Sequence, residues 1–283
     1  MIGGSRWNVM PPVVKNLLII NVLMFFASFT FNETLGIDLW EIFGLHYFES
    51  DLFSPYQIVT YMFMHGSVEH IFFNMFAVWM FGSAIENVWG SRRFLIYYLL
   101  TGFGAAFLHY AIITYNLYPV TSQLADIILN PSASDIISFA QSHPWQEYLH
   151  PQLLGQAQDF VNYTVTQLQM NPNNQVAIES ATEFLTEYRT SIVDSQNVVG
   201  ASGSLFGILL AFGMMFPNVP LFMMFIPIPI KAKYLVTGYG LLELFSAFQN
   251  NPGDNVAHFA HLGGMLFGFL IIKFWQKSGM RWR

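Results

Sequence analysis

The sequence predicts an all-α, polytopic membrane protein: a six-helix transmembrane bundle with a helical extracytoplasmic insertion between its third and fourth spans. Three observations predict it. Apolar residues make up 54% of the chain and charged ones only 10%, a composition suited to helices that meet lipid. Apolar runs recur at lengths that approach or match a bilayer crossing. Between two of them, residues 114–197 are too polar to span and carry acids against the single base Arg189. The whole chain, 1–283, reads as one membrane domain that contains this insertion.

The first span covers residues 13–31, with Asn21 as its one clearly polar interior residue. The flank Ala27-Ser28-Phe29-Thr30-Phe31 offers no small-x-small cleavage site, so a retained helix is expected rather than a signal peptide. Residues 32–66 mix acids with Trp40, Phe43, Tyr47, Phe48, Phe53 and Tyr56, which suits a membrane interface. A second span runs from about Val68 to Val88. The turn Trp89-Gly90-Ser91-Arg92-Arg93 then leads into a third, from about Phe94 to Ile113.

Within the insertion, Ala177, Ala181, Phe184 and Tyr188 form an apolar stripe at helical spacing, with Asn173 or Asn174 available as a cap. A second amphipathic helix is expected near Gln158 to Gln169. The fourth span opens at Ser202. After it, Pro217, Pro220, Pro227 and Pro229 exclude a regular spanning helix. The fifth covers roughly Tyr234 to Phe248 and the sixth Val256 to Trp275. The fourth and fifth are short for a hydrocarbon core of about 30 Å, which implies local thinning or burial in a bundle.

Charge sets the expected orientation. Arg6, Lys15, Arg92, Arg93, Lys231, Lys233, Lys273, Lys277, Arg281 and Arg283 all fall on one side of six spans, and Arg189 on the other. Both termini are therefore expected in the cytoplasm. The net charge of -6 and the lack of a basic patch give no footprint for a nucleic-acid partner. Without cysteine there is no disulfide framework and no thiol nucleophile.

Two stretches carry the chemistry. Gly200-Ala201-Ser202-Gly203 opens the fourth span, and Gly203 with Gly207 makes a small-xxx-small face. Ala260-His261-Leu262-Gly263-Gly264, continuing to Gly268, puts positions 261, 264 and 268 on one face of the sixth. Two such helices pack closely enough for a serine and a histidine to touch. On the second span His70 and Asn74, four apart, share a face. Polar side chains at membrane depth are functional candidates, and these two suit the stabilisation of a developing oxyanion together with the Ser202 amide. Taken alone, each reads as well as a structural hydrogen bond between helices. Glu86 and Glu243 are expected to tie loops and helices together, without a catalytic role.

These motifs resemble those of the rhomboid intramembrane serine proteases. Gly200-Ala201-Ser202-Gly203 is similar to their GxSG, His70-Ile71-Phe72-Phe73-Asn74 to their HxxxN, and Ala260-His261-Leu262-Gly263-Gly264 with Gly268 to their AHxxG…G. The resemblance covers nearly all of the chain outside 114–197. It implies a Ser-His dyad without an acid, with Ser202 as nucleophile and His261 as base, and an oxyanion hole of His70, Asn74 and the Ser202 amide. His258 is a neighbour of the base, because the glycine spacing fits His261. Phe206 replaces a frequent tyrosine one turn after the serine: it can stack on the imidazole but cannot hydrogen-bond. Tyr56-Gln57 stands where many relatives have Trp-Arg in the first outer loop.

The resemblance further implies cleavage of transmembrane protein substrates near their outer boundary, by a protein held in the lipid bilayer, without cofactor or metal. It also implies residence in a bacterial cytoplasmic membrane, with the active site opening to the outer side. Two other classes compete. A rhomboid-like pseudoprotease would bind and retain membrane clients, but such proteins usually lack the serine or the histidine. A metalloprotease or transporter would use His65, His70, His258 and His261 as ligands, yet there is no HExxH and no carboxylate on the helix of His258 and His261.

Overall fold

The structure is a computed structural model that describes residues 7–145, 151–223, 226–249 and 256–279. Arg6, Arg281 and Arg283, which entered the orientation above, lie outside the described residues. The chain is mostly helical and divides into two compact units. One is built from the residues up to Leu45, Ser54–Ala111 and the chain from Val198 onward; the other from His46–Phe53 and Ile112–Asn197. Among the described residues four helices are long and apolar enough to cross a membrane: Pro12–Leu35 (α1), Val68–Trp89 (α2), Ser91–Leu129 (α3) and His258–Lys277.

In the first unit α1 begins with an unusual accounting of its free amides. Pro12 has no N–H to satisfy. The amides of Val13 and Val14 donate to the Glu86 carboxylate at 3.0 and 2.8 Å, and Lys15 N–H donates to Pro11 O at 2.9 Å. Glu86, buried in α2, also accepts the Ser91 hydroxyl at 2.6 Å. A carboxylate at a helix N-terminus meets both the orphan donors and the positive end of the dipole. The structural role expected of Glu86 is thus to seat α1 on α2 and on the turn that follows it.

The apolar helix Ser202–Met215 (α4) is shorter than the other four. It leads into two antiparallel strands, Pro220–Met223 and Ile226–Lys231, paired through Pro220↔Lys231 and Leu221↔Ile230. The proline-studded stretch is thus extended rather than helical, as its missing amide donors require. Next come Ala232–Gln249 (α5) and His258–Lys277 (α6).

The principal packing in this unit is that of α4 against α6, and it depends on glycine. A Cβ at Gly264 would penetrate the carbonyl oxygen of Gly203. One turn on, a Cβ at Gly268 would lie 3.3 Å from Gly207 Cα. The middle of α3 closes the third side: Cβ atoms at Gly203 and Gly207 would collide with Ala105 and Thr101, and one at Gly263 would lie 2.9 Å from Ala105 Cα. With the backbones this close, buried hydrogen bonds reach across helices. Tyr97 Oη donates to Gly207 O at 2.7 Å, and Ser204 Oγ to Tyr98 O at 2.8 Å.

The second unit has its own apolar core, including Leu124, Ile136, Phe139, Leu168, Leu185 and Tyr188. The stripe at 177, 181, 184 and 188 lies in the helix Gln175–Asp194, whose buried face it lines, and Asn174 Oδ1 caps the Ala177 amide at 3.3 Å. Residues 154–170 are helical with a wider turn at Phe160–Thr164. A further helix, Ala133–Ser142, is capped by Ser132 accepting from the Asp135 amide. In this core His143 Nε2 is 2.7 Å from Tyr188 Oη, and its ring stacks on Phe139.

Two outcomes follow. Gly264→Ala must push α6 off the Gly203 carbonyl, so it is expected to destabilise at or above the upper end of the roughly 1–3 kcal/mol typical of overpacking. A thermal melt of the purified protein, compared with an exposed-site control such as Leu266→Ala, checks this. The second concerns pH. Burial pushes the His143 pKa down to about 4 from an ordinary 6.5. Between those values the unfolded state binds the extra proton, so the stability that neutral His143 contributes is complete above pH 6.5 and lost as pH falls towards 4. Amide protection factors of the Gln175–Asp194 helix should fall on acidification through that window. In His143→Phe much of this pH dependence should disappear.

Candidate active site

Ser202 is the first residue of α4, and the chain enters it through a constrained turn. Gly200 has φ 123°, a region that favours glycine. Its amide donates to Tyr61 O at 2.8 Å, and Tyr61 Oη in turn donates to Gly102 O at 2.8 Å. A Cβ at Gly200 would also lie 2.8 Å from His70 Cε1 and Nε2. Glycine is therefore required there twice, for its backbone angle and for the imidazole against it. The first amides of a helix have no acceptor within the helix, so the Ser202 N–H belongs to a terminus suited to negative charge.

His261 lies in the first turn of α6 and is 8% exposed. Its Nε2 is 2.9 Å from Ser202 Oγ, a hydrogen bond between residues 59 apart in sequence. Phe206, one turn after the serine, stacks on the imidazole with centroids 4.2 Å apart and planes 10° from parallel. The ring is thus held flat while its edge meets the hydroxyl. This contact forms where Gly203 and Gly264 let α4 and α6 touch.

On the opposite edge of the ring lies a residue for which the sequence suggested only a structural role. Glu243 of α5 places Oε2 2.9 Å from His261 Nδ1 and 2.6 Å from His258 Nδ1. The His258 contact is a hydrogen bond. The one to His261 is nearly as close but does not complete a hydrogen bond, and His261 Nδ1 has no hydrogen-bond partner among the described residues. His258 is therefore on the carboxylate, while the ring on the serine is that of His261. An ionisable residue inside an apolar helix is itself a signal of function. What the sequence lacked was which face of α6 that residue would meet.

His70 and Asn74 sit on α2. Ser67 caps this helix by accepting the His70 amide at 3.1 Å. The His70 ring packs on the Gly200 backbone, two residues before the serine, and edge-to-face on His65 at 4.8 Å. Asn74, one turn further, is 5% exposed, and its Nδ2 has no hydrogen-bond partner among the described residues. A buried amide with an unused donor is costly unless something else accepts from it. At the position of the expected Trp-Arg, Gln57 is buried, donating to Ile42 O at 3.2 Å and accepting from Ser54 N–H at 3.0 Å.

A family profile described as "Rhomboid domain" matches residues 53–121 and 164–277. That is more than half of the chain, and the chain belongs to the rhomboid family. The matched residues hold His70, Asn74, Ser202, Glu243, His258 and His261; the part passed over, 122–163, falls in the second unit. A stretch of 47 residues is 38% identical to the rhomboid protease GluP of Bacillus subtilis strain 168. It covers 17% of this chain and 9% of that protein, so the match spans less than a tenth of the relative's length.

Glu243, His258 and His261 each offer one donor atom, all within 4.8 Å of one another, which is also a possible metal-ligand set. The carboxylate on α5 supplies what the helix of the two histidines lacks. The separations of 2.6 and 2.9 Å are nevertheless shorter than those between ligands of one ion; two ligands on a tetrahedral zinc would sit roughly 3.3 Å apart. Incubating the purified protein with a strong chelator is therefore expected to leave the reaction of Ser202 with a serine-directed phosphonate unchanged. Loss of labelling that zinc restores would reassign the three groups to a metal.

Proposed function

We propose that this chain is an intramembrane serine protease, with Ser202 as nucleophile and His261 as general base, acting on transmembrane segments of membrane-protein substrates. Membership of the rhomboid family supports the class. The observation that carries the assignment is the 2.9 Å bond from His261 Nε2 to Ser202 Oγ, formed between two helices joined by facing glycines. Serine is a poor nucleophile until a base takes its proton. His261 accepts that proton as Oγ attacks the scissile carbonyl, then returns it to the leaving amine. A water then hydrolyses the acyl-enzyme by the same exchange in reverse.

The developing oxyanion is held by the Ser202 amide with His70 and Asn74. The unused Asn74 donor supports that role, since a tetrahedral intermediate would supply its acceptor. The membrane arrangement belongs to the same proposal: α4 and α5 complete a six-helix bundle with the four long spans, and both termini are cytoplasmic. Residues 114–197 form an extracytoplasmic insertion on the side to which the dyad opens, in a bacterial cytoplasmic membrane. A substrate helix must unwind locally before its hydrogen-bonded carbonyls can be attacked. Helix-weakening residues near the cut site favour this.

Reconstituted with a model transmembrane substrate, Ser202→Ala and His261→Ala should each lower turnover by about 10⁴-fold or more, and the double variant should be no worse than either. Asn74→Ala should cost about 10²- to 10³-fold, the usual effect of losing one oxyanion donor. Substantial cleavage by purified Ser202→Ala would refute the serine mechanism. A wild-type protein that binds the substrate but neither cleaves it nor reacts with a phosphonate would be a client-binding relative instead.

A further inference from the structure

One carboxylate oxygen, Glu243 Oε2, lies against the Nδ1 atoms of two imidazoles, and one of these rings is the ring hydrogen-bonded to Ser202. The three side chains are well shielded, at 14% exposure for Glu243, 15% for His258 and 10% for His261. Glu243 belongs to a helix whose other residues nearby, Leu241, Leu242, Leu244 and Phe245, are exposed and apolar. Packing of Val236 against Gly213, and of Gly240 against Met265, turns the remaining face of α5 towards α4 and α6. A carboxylate in such a helix is costly unless paired. The pairing it makes here goes to the rear of the imidazole that faces the serine.

The tautomers follow from the contacts. An ionised carboxylate accepts and does not donate, so each Nδ1 that faces it carries the proton. His261 then has its lone pair on Nε2, directed at Ser202 Oγ. That is the only neutral tautomer in which it can accept the hydroxyl proton. We propose that Glu243 is a positioning carboxylate that turns the Ser202–His261 pair into a three-membered relay, with His258 as a second donor that steadies its oxygen. The inference rests on the assignment of Ser202 and His261 proposed above. In the reaction the Oγ proton moves to Nε2, and the imidazolium that forms shares its charge with Glu243. The carboxylate stays ionised and takes no proton itself. The 2.9 Å contact of Nδ1 with the carboxylate tightens into a hydrogen bond as that charge develops. A strut that merely ties α5 to α6 would satisfy His258 alone; the contact with His261 has no need to exist for it.

The test uses the full chain in liposomes with a transmembrane substrate and, separately, phosphonate labelling of Ser202. Glu243→Gln is expected to lower kcat and the labelling rate by about 10²- to 10⁴-fold with KM little changed. It should also move the acid limb of kcat/KM to lower pH by about one unit or more, because an imidazolium without its anion forms less readily. Among the described residues His258, His70 and His109 also lie within reach of His261, and all three remain in the variant. Glu243→Asp, which keeps the charge and draws the oxygen back, should hold the acid limb near its wild-type position while losing part of kcat. If Glu243→Gln does not fold, Glu243→Asp decides: labelling at the wild-type rate would overturn the proposal. So would a folded Glu243→Gln protein that keeps its kcat, or one that loses activity with the acid limb unmoved, which is the signature of a strut. Failure of the parent assignment looks different, since there Ser202→Ala would still cleave whatever Glu243 does.

Discussion

The close approach of α4 and α6 is the constraint on which the rest of this structure depends. Where lipid surrounds a protein there is little hydrophobic force to drive helices together, and contact comes from packing and hydrogen bonds. The absence of a Cβ at Gly203 and Gly264 lets one backbone lie on the carbonyl of the other. Only at that separation does an imidazole in the first turn of α6 meet a hydroxyl at the start of α4. The buried bonds from Tyr97 and Ser204 of α3 and α4 hold the same geometry from the other side. A methyl group in the seam would therefore separate both the helices and the Ser202–His261 pair.

Three polar groups in this apolar setting are placed where a backbone or a ring needs them. Glu86 takes the first amides of α1, Tyr61 links the turn before Ser202 to α3, and Glu243 stands behind the imidazole. Phe206 contributes its ring rather than a polar group, and its stacking fixes the plane of the His261 imidazole. The site is thus positioned by Tyr61 and by α2 to α6, with the Ser202–His261 pair at the junction of helix ends.

Much of this was legible in the sequence because glycine spacing is informative. Gly200, Gly203, Gly264 and Gly268 each mark a place where a side chain would collide, and they distinguish His261 from His258 as the ring that meets the serine. The stripe from Ala177 to Tyr188 gave the longest helix of the second unit, and Asn174 its cap. Other features depend on contacts that no local pattern encodes. α3 continues to Leu129, well beyond the apolar run ending near Ile113. The extension buries Leu117, Leu124 and Ile127 in the core of the second unit, and that packing overrides poor helix formers and even Pro119. The helix Ala133–Ser142 is not among the expected elements, although Ser132 and Asp135 carry a capping signal. Glu243 was visible as an acid among apolar residues, but its partners are set by how α5 turns, which periodicity does not record.

The seating of α1 on Glu86 has a consequence for how the protein comes into being. The helix begins at Pro12, yet the carboxylate that accepts its first free amides is more than seventy residues downstream. When α1 leaves the ribosome its opening turn has no partner, and none exists until the far end of α2 has been synthesised. The same carboxylate binds Ser91, where α3 starts. A single side chain thus sets an order of assembly, in which the first helix remains provisional and becomes fixed as a register point when the second is complete and the third begins.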